Sequence, residues 1–83
     1  MDIEFDPAKD EANIAKHGIS LVHATELADV VVIDDTRFEE PRFRLYGTID
    51  GIPYCAAVTM RGDVVRVINL RRAHAKEVRR HDR

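Results

Sequence analysis

The polar and apolar positions near the N-terminus are those of a short strand followed by a capped helix. Residues 2–5 are predicted to form the strand, after which Asp6 offers an N-cap side chain. Pro7 follows at the first helical position, where the missing N–H of proline costs nothing. Gly18 suits the left-handed position that commonly ends a helix. These boundary residues predict a first helix over about residues 7–17.

A second helix is predicted to begin after Ser20, which is a good N-cap, and to end near Asp29. Its apolar residues recur at helical spacing: Leu21, Ala24, Leu27 and Ala28. The run from Val30 to Ile33 is continuous and β-branched, which favours a buried strand over a helix of that length. Polar residues from Asp34 onwards then begin a loop.

From residue 42 onwards the pattern has the period of two that is typical of strands. Two sets of side chains alternate there, polar Arg42, Arg44, Tyr46 and Thr48 and apolar Phe43 and Leu45. Asp50-Gly51 is a hairpin signal, so the chain is predicted to return as a strand over residues 52–59. A turn at residues 61–63 and a third strand over residues 64–70 follow. A basic helix is predicted over about residues 71–81.

Helices and strands are therefore segregated along the chain. This order predicts an α+β domain in which two N-terminal helices and a C-terminal helix pack on a mostly antiparallel β-sheet, with helices against one face. The 83 residues are expected to form one domain, 1–83, with a small core. A core of that size often gains stability from a partner, so we expect a homo- or hetero-oligomer.

The compartment is indicated by what the sequence lacks. Cys55 is the only cysteine and lies in an apolar run, so we expect it to pack as a small hydrophobic residue in a reducing compartment. The N-terminus has no signal-peptide pattern, and no apolar run reaches membrane-spanning length. We therefore expect a soluble cytoplasmic protein without membrane contact.

Charge changes this picture, because it is distributed unevenly. Residues 1–40 hold 3 Lys/Arg and 11 Asp/Glu, net −8, whereas residues 41–83 hold 10 and 4, net +6, which together give the overall −2. The positive residues are densest between Val64 and Arg80. This split indicates a nucleic-acid or phosphate partner for the basic half, or a basic protein partner for the acidic half. The alternative is that the two halves fold against each other and neutralise much of the asymmetry.

Arg42, Arg44 and Tyr46 are predicted to share one face of a strand, because side chains alternate with period two. Together with the start of the basic helix they would form a cationic, partly concave surface. The planar fork of arginine matches phosphate oxygens, and Tyr46 is the best candidate for stacking on a nucleic-acid base. The alternative is that these arginines are solvated positions on an open sheet face.

Lys16 and His17 lie in the last turn predicted for the first helix. His17 could transfer a proton while Lys16 steadies a phosphate, since histidine has an unperturbed pKa near neutrality. The alternative is that both residues only complement the helix dipole. Glu77 is interpreted as a helix-surface ion-pair partner. The histidine spacing does not match a metal site, so no metal or other cofactor is expected.

A series of short motifs occurs in one order along essentially the whole chain. They are Phe5-Asp6-Pro7-Ala8-Lys9, Asn13, Lys16-His17-Gly18-Ile19, Glu40-Pro41-Arg42, Gly47, Thr59, Arg61, Arg66-Val67-Ile68, Arg71-Arg72-Ala73 and Lys76-Glu77. No single motif is specific, but the ordered combination resembles the BrnT family of bacterial type II toxins.

The resemblance implies a RelE-like ribonuclease fold, inhibition of translation by RNA cleavage, and a BrnA-like antitoxin protein as partner. It implies contact with operator DNA only through that antitoxin. Matched position by position, the resemblance places the catalytic site at Lys16, His17, Arg42, Arg66 and Arg71. The side chains expected to bind RNA around it are Arg44, Tyr46, Arg72 and Lys76.

The chain departs from the family pattern at four places. Phe5 stands where the family has a tryptophan, and Pro41 interrupts a segment that is rich in glutamate in the family. Asn69-Leu70 replaces Ser-Ala, and His81-Asp82-Arg83 replaces a frequent terminal tyrosine. The change at Asn69-Leu70 adjoins Arg71 and could weaken or retune the activity.

The leading hypothesis is metal-independent cleavage, in which the 2′-hydroxyl of the RNA attacks the adjacent phosphorus. Arg71 and Arg42 would stabilise charge on the phosphoryl oxygens, and Arg66 would orient the scissile phosphate. His17 would act as general acid or base, and Lys16 would hold a flanking phosphate. Two rival functions stay open: a non-catalytic RNA-binding module and a protein-interaction module.

Overall fold

The fold is a five-stranded sheet with helices on both of its faces. A computed structural model of the chain describes residues 2–81, without the side chain of His81, so the departures at Asp82 and Arg83 lie outside the described residues. The elements in chain order are β1 (Ile3–Glu4), α1 (Pro7–His17), a 3₁₀ helix (Leu21–Glu26), β2 (Ala28–Asp34), β3 (Arg42–Ile49), β4 (Ile52–Arg61), β5 (Val64–Arg72) and α2 (Ala75–His81). The strand order is β1-β5-β4-β3-β2.

The first helix begins and ends at the predicted residues. The Asp6 carboxylate accepts a hydrogen bond from the Ala8 N–H at 2.9 Å, and Pro7 is the first helical residue. At the other end Gly18 has φ 73°, and its N–H donates to the Ile14 carbonyl at 2.8 Å. A left-handed residue of this kind suits glycine and closes the helix. The prediction for residues 7–17 is confirmed.

The second helix was predicted with the wrong type and length. Ser20 caps it as expected, but the element is a 3₁₀ helix that stops at Glu26. Its two fully buried residues, Leu21 and Ala24, are three apart, which is the period of a 3₁₀ helix. Leu27 is no longer helical, with a ψ angle of 127°, and β2 begins at Ala28, so the segment near Asp29 belongs to a strand. Packing of these two side chains therefore outweighs the longer helical pattern.

The predicted meander is confirmed as β3, β4 and β5, which pair in antiparallel order. Asp50 and Gly51 both have positive φ, as a two-residue hairpin turn requires. The last strand extends two residues beyond the prediction, because Arg71 and Arg72 still pair with β4. Helix α2 consequently begins at Ala75 and not at residue 71.

Two further strands widen the sheet. The run Val30–Ile33 lies in β2, which pairs antiparallel to β3, so the strand is confirmed. Its predicted burial was wrong, because β2 is an edge strand in which Val30 and Val32 are 42% and 59% exposed. Strand β1 pairs parallel to β5. A bulge interrupts β2 near its start, where Asp29 has φ 54°. Gly47 lies opposite this region, and a Cβ atom there would lie 2.8 Å from the Ala28 carbonyl oxygen. The sheet is therefore mostly antiparallel, and the α+β class is confirmed.

The hydrophobic core lies between the sheet and the N-terminal helices. Its buried residues are Leu21, Ala24, Leu45, Ile49, Ala56, Val58, Val67 and Leu70. Helix α2 contacts the opposite face of the sheet. Its Glu77 carboxylate accepts hydrogen bonds from Tyr46 and Arg71. The residues that precede these two in their strands, Leu45 and Leu70, face the core, so Tyr46 and Arg71 point to the other side. The expectation that the helices lie on one face was wrong, since the β5–α2 connection carries α2 across the sheet. No helix in residues 2–81 is long and apolar enough to cross a membrane.

A buried asparagine joins α1 to the sheet. Asn13 is 5% exposed, and its Nδ2 donates to the carbonyls of Leu70 at 2.8 Å and Ile19 at 2.9 Å. Its Oδ1 accepts from the Leu70 N–H at 3.1 Å. The side chain thus replaces a neighbouring strand along this part of β5. This contact places the C-terminal turn of α1 beside the sheet face that carries the arginines.

Candidate anion-binding site

The face of the sheet opposite the core carries a cationic cavity. It has a volume of about 160 Å³ and is lined by four arginines, Arg37, Arg42, Arg44 and Arg71, together with Asp35, Phe38 and Asn69 among others. We call it the arginine pocket. Leu45 and Phe43 pack in the core while Arg44 lies in this pocket, so the predicted alternation along β3 is confirmed. Arg37 and Phe38 were not anticipated, because they come from the loop before β3.

Acidic residues already hold several of these guanidinium groups. Asp35 is 9% exposed, and both of its oxygens accept from Arg37 at 2.8–2.9 Å. The Nε of Arg44 is 3.4 Å from Asp35 Oδ2. The pKa of the Asp35 carboxyl is far below its usual range, chiefly because of the Arg37 hydrogen bonds. Asp35 therefore stays ionised and anchors two arginines.

The acidic and basic halves of the chain do partly neutralise each other. Arg42 Nη2 donates to Glu40 at 2.6 Å, and Arg66 Nη1 donates to Glu4 at 2.6 Å. Both pairs join an acid from the first forty residues to an arginine from the second half. The alternative interpretation of the charge asymmetry is therefore partly correct. The Glu40 carboxylate is 58% exposed, and exposed pairs of this kind add little to stability.

Arg71 is held by the most buried ion pair that includes α2. Its Nη1 and Nη2 donate to Glu77 Oε1 at 2.9 Å and Oε2 at 3.1 Å. Glu77 is only 7% exposed, so its interpretation as a helix-surface residue was wrong. Hydrogen bonds from Arg71 hold the pKa of this carboxyl far below its usual range. The sequence spacing had paired Glu77 with neighbours on its own helix and not with the sheet.

Tyr46 is not placed to stack on a base. It is 7% exposed, its hydroxyl donates to Glu77 Oε2 at 2.9 Å, and Arg44 Nη1 lies 3.4 Å from that hydroxyl. The phenol hydroxyl therefore contacts Arg44, which lines the arginine pocket, and Glu77, which holds Arg71. Burial raises the pKa of Tyr46, so it stays protonated. The expectation that Tyr46 offers its ring to RNA is corrected, because residues of α2 cover it.

Phe38 is the exposed aromatic ring at the arginine pocket. It is 40% exposed, and the Arg42 guanidinium lies 3.8 Å from the ring centroid. The Nε of Arg42 is buried and has no hydrogen-bond partner within residues 2–81. A buried donor without a partner is costly, so an acceptor oxygen that reached this N–H group would be stabilising. A signal was present in the sequence, since Phe38 is an aromatic residue among charged loop residues.

Lys16 and His17 line a neighbouring cavity of about 170 Å³, together with Lys9 and Asn69. Asn69 also lines the arginine pocket, so the two cavities adjoin across this residue. Burial, followed by the positive charges of Lys16 and Arg71, lowers the pKa of His17. The imidazole is therefore neutral near pH 7. Asn69, which stands where the family pattern has serine, contacts the first helix, because its Nδ2 donates to Asn13 Oδ1 at 3.2 Å.

The remaining predicted residues lie around these two cavities. Arg66 lines a third cavity of about 260 Å³, which it shares with Arg42, so it lies on the flank of the arginine pocket. Arg72 follows Arg71 on β5 and is directed to the other face of the sheet, away from the pocket. Lys76 is exposed on α2. The structure thus brings together five of the predicted residues, which are Lys16, His17, Arg42, Arg44 and Arg71. It places Arg72 apart from them.

Cys55 behaves as predicted from its apolar neighbours. It is 3% exposed, and burial raises the pKa of its thiol. Within residues 2–81 there is no cluster of three or more His, Cys, Asp or Glu side chains that could hold a metal ion. The two adjoining cavities are lined by the guanidinium groups of four arginines, the His17 imidazole, the ammonium groups of Lys9 and Lys16, and the Asp35 carboxylate, among other groups.

The fold and this face define a small α+β protein with an arginine-lined cavity on its sheet. The model of the family described as "ribonuclease toxin, BrnT, of type II toxin-antitoxin system" matches residues 5–77, so the chain belongs to the BrnT family of ribonuclease toxins. The 1.1 Å crystal structure of the Brucella abortus ribonuclease toxin BrnT is similar, with a TM-score of 0.73 and 27% sequence identity. The similarity covers 89% of this chain and 97% of that chain. No curated protein matches the chain.

Proposed function

We propose that the protein cleaves single-stranded RNA without a metal ion and thereby inhibits translation, as a RelE-like ribonuclease. The observation that carries this proposal is the arrangement of the arginine pocket beside a histidine with a lowered pKa. In such a reaction the 2′-hydroxyl of the RNA loses its proton and its oxygen attacks the adjacent phosphorus, while the bond from phosphorus to the 5′-oxygen of the next nucleotide breaks. The products end in a 2′,3′-cyclic phosphate and in a 5′-hydroxyl group, because the leaving oxygen takes up a proton. The protein then needs no nucleophile of its own, only cations and a group that moves protons.

Arg71 and Arg42 bind the scissile phosphate in this proposal. Negative charge grows on its nonbridging oxygens in the transition state, and fixed guanidinium donors stabilise that charge without further reorganisation. The unpartnered Nε of Arg42 supports this role, because the anion would satisfy a buried donor. Arg44 binds the RNA backbone from within the same pocket, and Arg66 supports the phosphate from the flank.

His17 moves the proton. A neutral imidazole accepts the proton of the 2′-hydroxyl as general base, an effect typically worth about 10²- to 10⁴-fold in rate. The lowered pKa supports this role, because the basic form is then abundant at neutral pH. Lys16 lies beside His17 and holds a flanking phosphate, and Lys76 contacts RNA from the exposed side of α2.

The partner of this activity is an antitoxin of the BrnA type. An exposed cationic site on a toxin is a surface that an antitoxin would cover, and operator DNA would be contacted through that antitoxin. The protein would act in the cytoplasm, where its RNA substrates are. Copurification with the product of a neighbouring reading frame tests this part of the proposal.

The experiment that tests the cleavage compares the parent protein with Arg71→Ala. Labelled single-stranded RNA is incubated with each protein in EDTA, and the ends of the products are identified. The proposal expects 2′,3′-cyclic phosphate ends from the parent and a loss of about 100-fold or more in rate for Arg71→Ala, the scale of removing one transition-state donor. Arg79→Ala, which changes an exposed arginine of α2, is the control.

A non-catalytic RNA-binding or protein-interaction module is the second candidate. It is favoured by the carboxylates that already neutralise the arginines, as in the Glu77–Arg71 and Glu40–Arg42 pairs. Intact RNA in the EDTA experiment, with retention of RNA by the protein, would support an RNA-binding module. Intact RNA without retention would support protein interaction.

A further inference from the structure

Glu77 owes its inward direction to the start of α2. His74 precedes the first residue of that helix, and its N–H donates to Glu77 Oε1 at 2.7 Å. A glutamate three residues after the N-cap that reaches back to the N-cap N–H is one half of a capping box. The carboxylate is thereby turned towards the sheet. A sequence-local motif thus delivers a charged group to the arginine pocket.

The carboxylate of Glu77 has no capacity for a further donor. Oε1 accepts from His74 N–H and Arg71 Nη1, and Oε2 accepts from Tyr46 at 2.9 Å and from Arg71 Nη2. Two acceptor bonds on each oxygen saturate its lone pairs. The carboxylate would have to give up one of these hydrogen bonds before it could take a proton from a substrate. These bonds fit a role in holding Arg71 better than a role in proton transfer.

Arg71 has one edge of its guanidinium left. Nη1 gives its two hydrogens to Glu77 Oε1 and to the Arg72 carbonyl at 3.1 Å, and Nη2 gives one hydrogen to Glu77 Oε2. The second Nη2 hydrogen and the Nε hydrogen then lie along the same side of the planar group. No hydrogen bond from Nε occurs within the described part of the chain. This free edge has the two-donor geometry that binds phosphate oxygens.

We infer that Glu77 is a positioning residue: it fixes Arg71 so that the Nε and Nη2 edge is presented to an RNA phosphate in the arginine pocket. This inference rests on the proposed function, since it takes the phosphate of RNA as the ligand. Arg71 lines the pocket, and Tyr46 fixes the carboxylate from the neighbouring β3 strand. Orientation of this kind matters because small misplacements of a catalytic group are costly in rate.

The opposite role is that Glu77 competes with RNA for Arg71 and inhibits the protein. Two observations favour positioning. The carboxylate occupies only one of the two edges of the guanidinium, so a phosphate need not displace it. The carboxylate is also 7% exposed and saturated, which makes its release from Arg71 expensive. The two roles predict changes of opposite sign in Glu77→Gln.

The test compares the parent with Glu77→Gln and with the control Glu26→Gln, which alters an exposed glutamate that pairs with His23. The amide keeps the shape but has one acceptor oxygen, so it cannot hold both Nη atoms. The positioning role expects kcat on labelled RNA to fall by about 10- to 100-fold, with a smaller change in KM. Glu26→Gln should cleave like the parent. Cleavage by Glu77→Gln at the parent rate or faster would overturn the inference.

A second readout separates this inference from the proposed function. The Nε–H resonance of Arg71 is followed by NMR while a 2′-O-methyl oligonucleotide, which cannot be cleaved by 2′-hydroxyl attack, is added. The inference expects a shift of this resonance in the parent and a smaller shift in Glu77→Gln. If the parent binds in this way but never cleaves RNA, the proposed activity fails while the positioning role stands. An equal shift in both proteins would refute the positioning role.

Tyr46→Phe keeps the test informative if Glu77→Gln does not fold. This variant removes one hydrogen bond to Glu77 Oε2 and leaves the carboxylate in place. Because the Arg71–Glu77 pair itself remains, kcat should fall in the same direction but by less than the roughly 10- to 100-fold expected for Glu77→Gln. A folded Tyr46→Phe with the kcat of the parent would count against the positioning role.

Discussion

Replacing Asn13 by alanine tests how the chain holds its two site-bearing elements together. The substitution removes the partner of three backbone groups, which are the Leu70 N–H, the Leu70 carbonyl and the Ile19 carbonyl. At about 1 kcal/mol for each group, Asn13→Ala should lower the free energy of unfolding by about 3 kcal/mol. That loss is a large part of the free energy of unfolding of an ordinary domain, which is roughly 5–15 kcal/mol.

The assay is urea unfolding followed by circular dichroism, with thermal unfolding as a second probe. A loss of about 3 kcal/mol corresponds to a decrease in Tm of roughly 12–24 °C for a domain of this size. The control is Asn69→Ala, which removes only the side-chain donor 3.2 Å from Asn13 Oδ1 and should cost about 1 kcal/mol or less. If Asn13→Ala unfolds within about 1 kcal/mol of the parent, the amide does not hold α1 on the strand, and the reasoning fails.

Three further predictions concern the site and the sheet. His17 should set the acid limb of the pH profile of kcat/KM, because the general base must be unprotonated. Since its pKa is lowered, activity should persist as pH falls from 7 and decline only below the ordinary histidine value of about 6.5. A midpoint above 7 in the measured profile would contradict this prediction. Phe38→Ala should change the base preference at the cleavage site, measured by sequencing product ends, because it removes the exposed ring at the pocket; an unchanged pattern would exclude stacking there. Gly47→Ala should destabilise the protein by about 1–3 kcal/mol in urea unfolding, because its Cβ would lie 2.8 Å from the Ala28 carbonyl; wild-type stability would show that β2 can move aside.

The pairing of arginines with carboxylates changes how the cationic face is understood. The charge pattern of the sequence indicated a surface of unpaired positive groups available to bind a polyanion. In the structure, Asp35 and Glu77 are buried and hold Arg37, Arg44 and Arg71 in fixed positions. The carboxylates therefore fix the positions of these guanidinium groups within the fold itself. Preorganised donors stabilise developing charge more effectively than flexible ones.

The parts of the fold that were predicted correctly depend on neighbours in sequence. Helix α1 has the expected bounds because its cap at Asp6 and its stop at Gly18 act within a few residues of the helix ends. The Asp50-Gly51 turn is equally local, because its two positive φ angles join adjacent strands. The separation of the β3 side chains into two faces follows from the pleat alone.

The errors occurred where a distant contact overrides the local pattern. The segment after Ser20 has helical spacing, yet burial of Leu21 and Ala24 against the sheet accommodates only a short 3₁₀ helix. The strand β5 continues through Arg72 because β4 offers it hydrogen-bonding partners. These outcomes depend on register and packing, which periodicity does not specify.

For the candidate site, the sequence by itself determined which residue types are present, that Arg42 and Arg44 share a strand face, and that the chain has the motif order of a BrnT toxin. Only the tertiary structure decided that Tyr46 is buried, that Phe38 is the exposed ring and that Glu77 holds Arg71. The physical reason is range: the pleat and the helix caps act over a few residues, whereas Tyr46 and Glu77 are 31 positions apart and meet only after the sheet has formed.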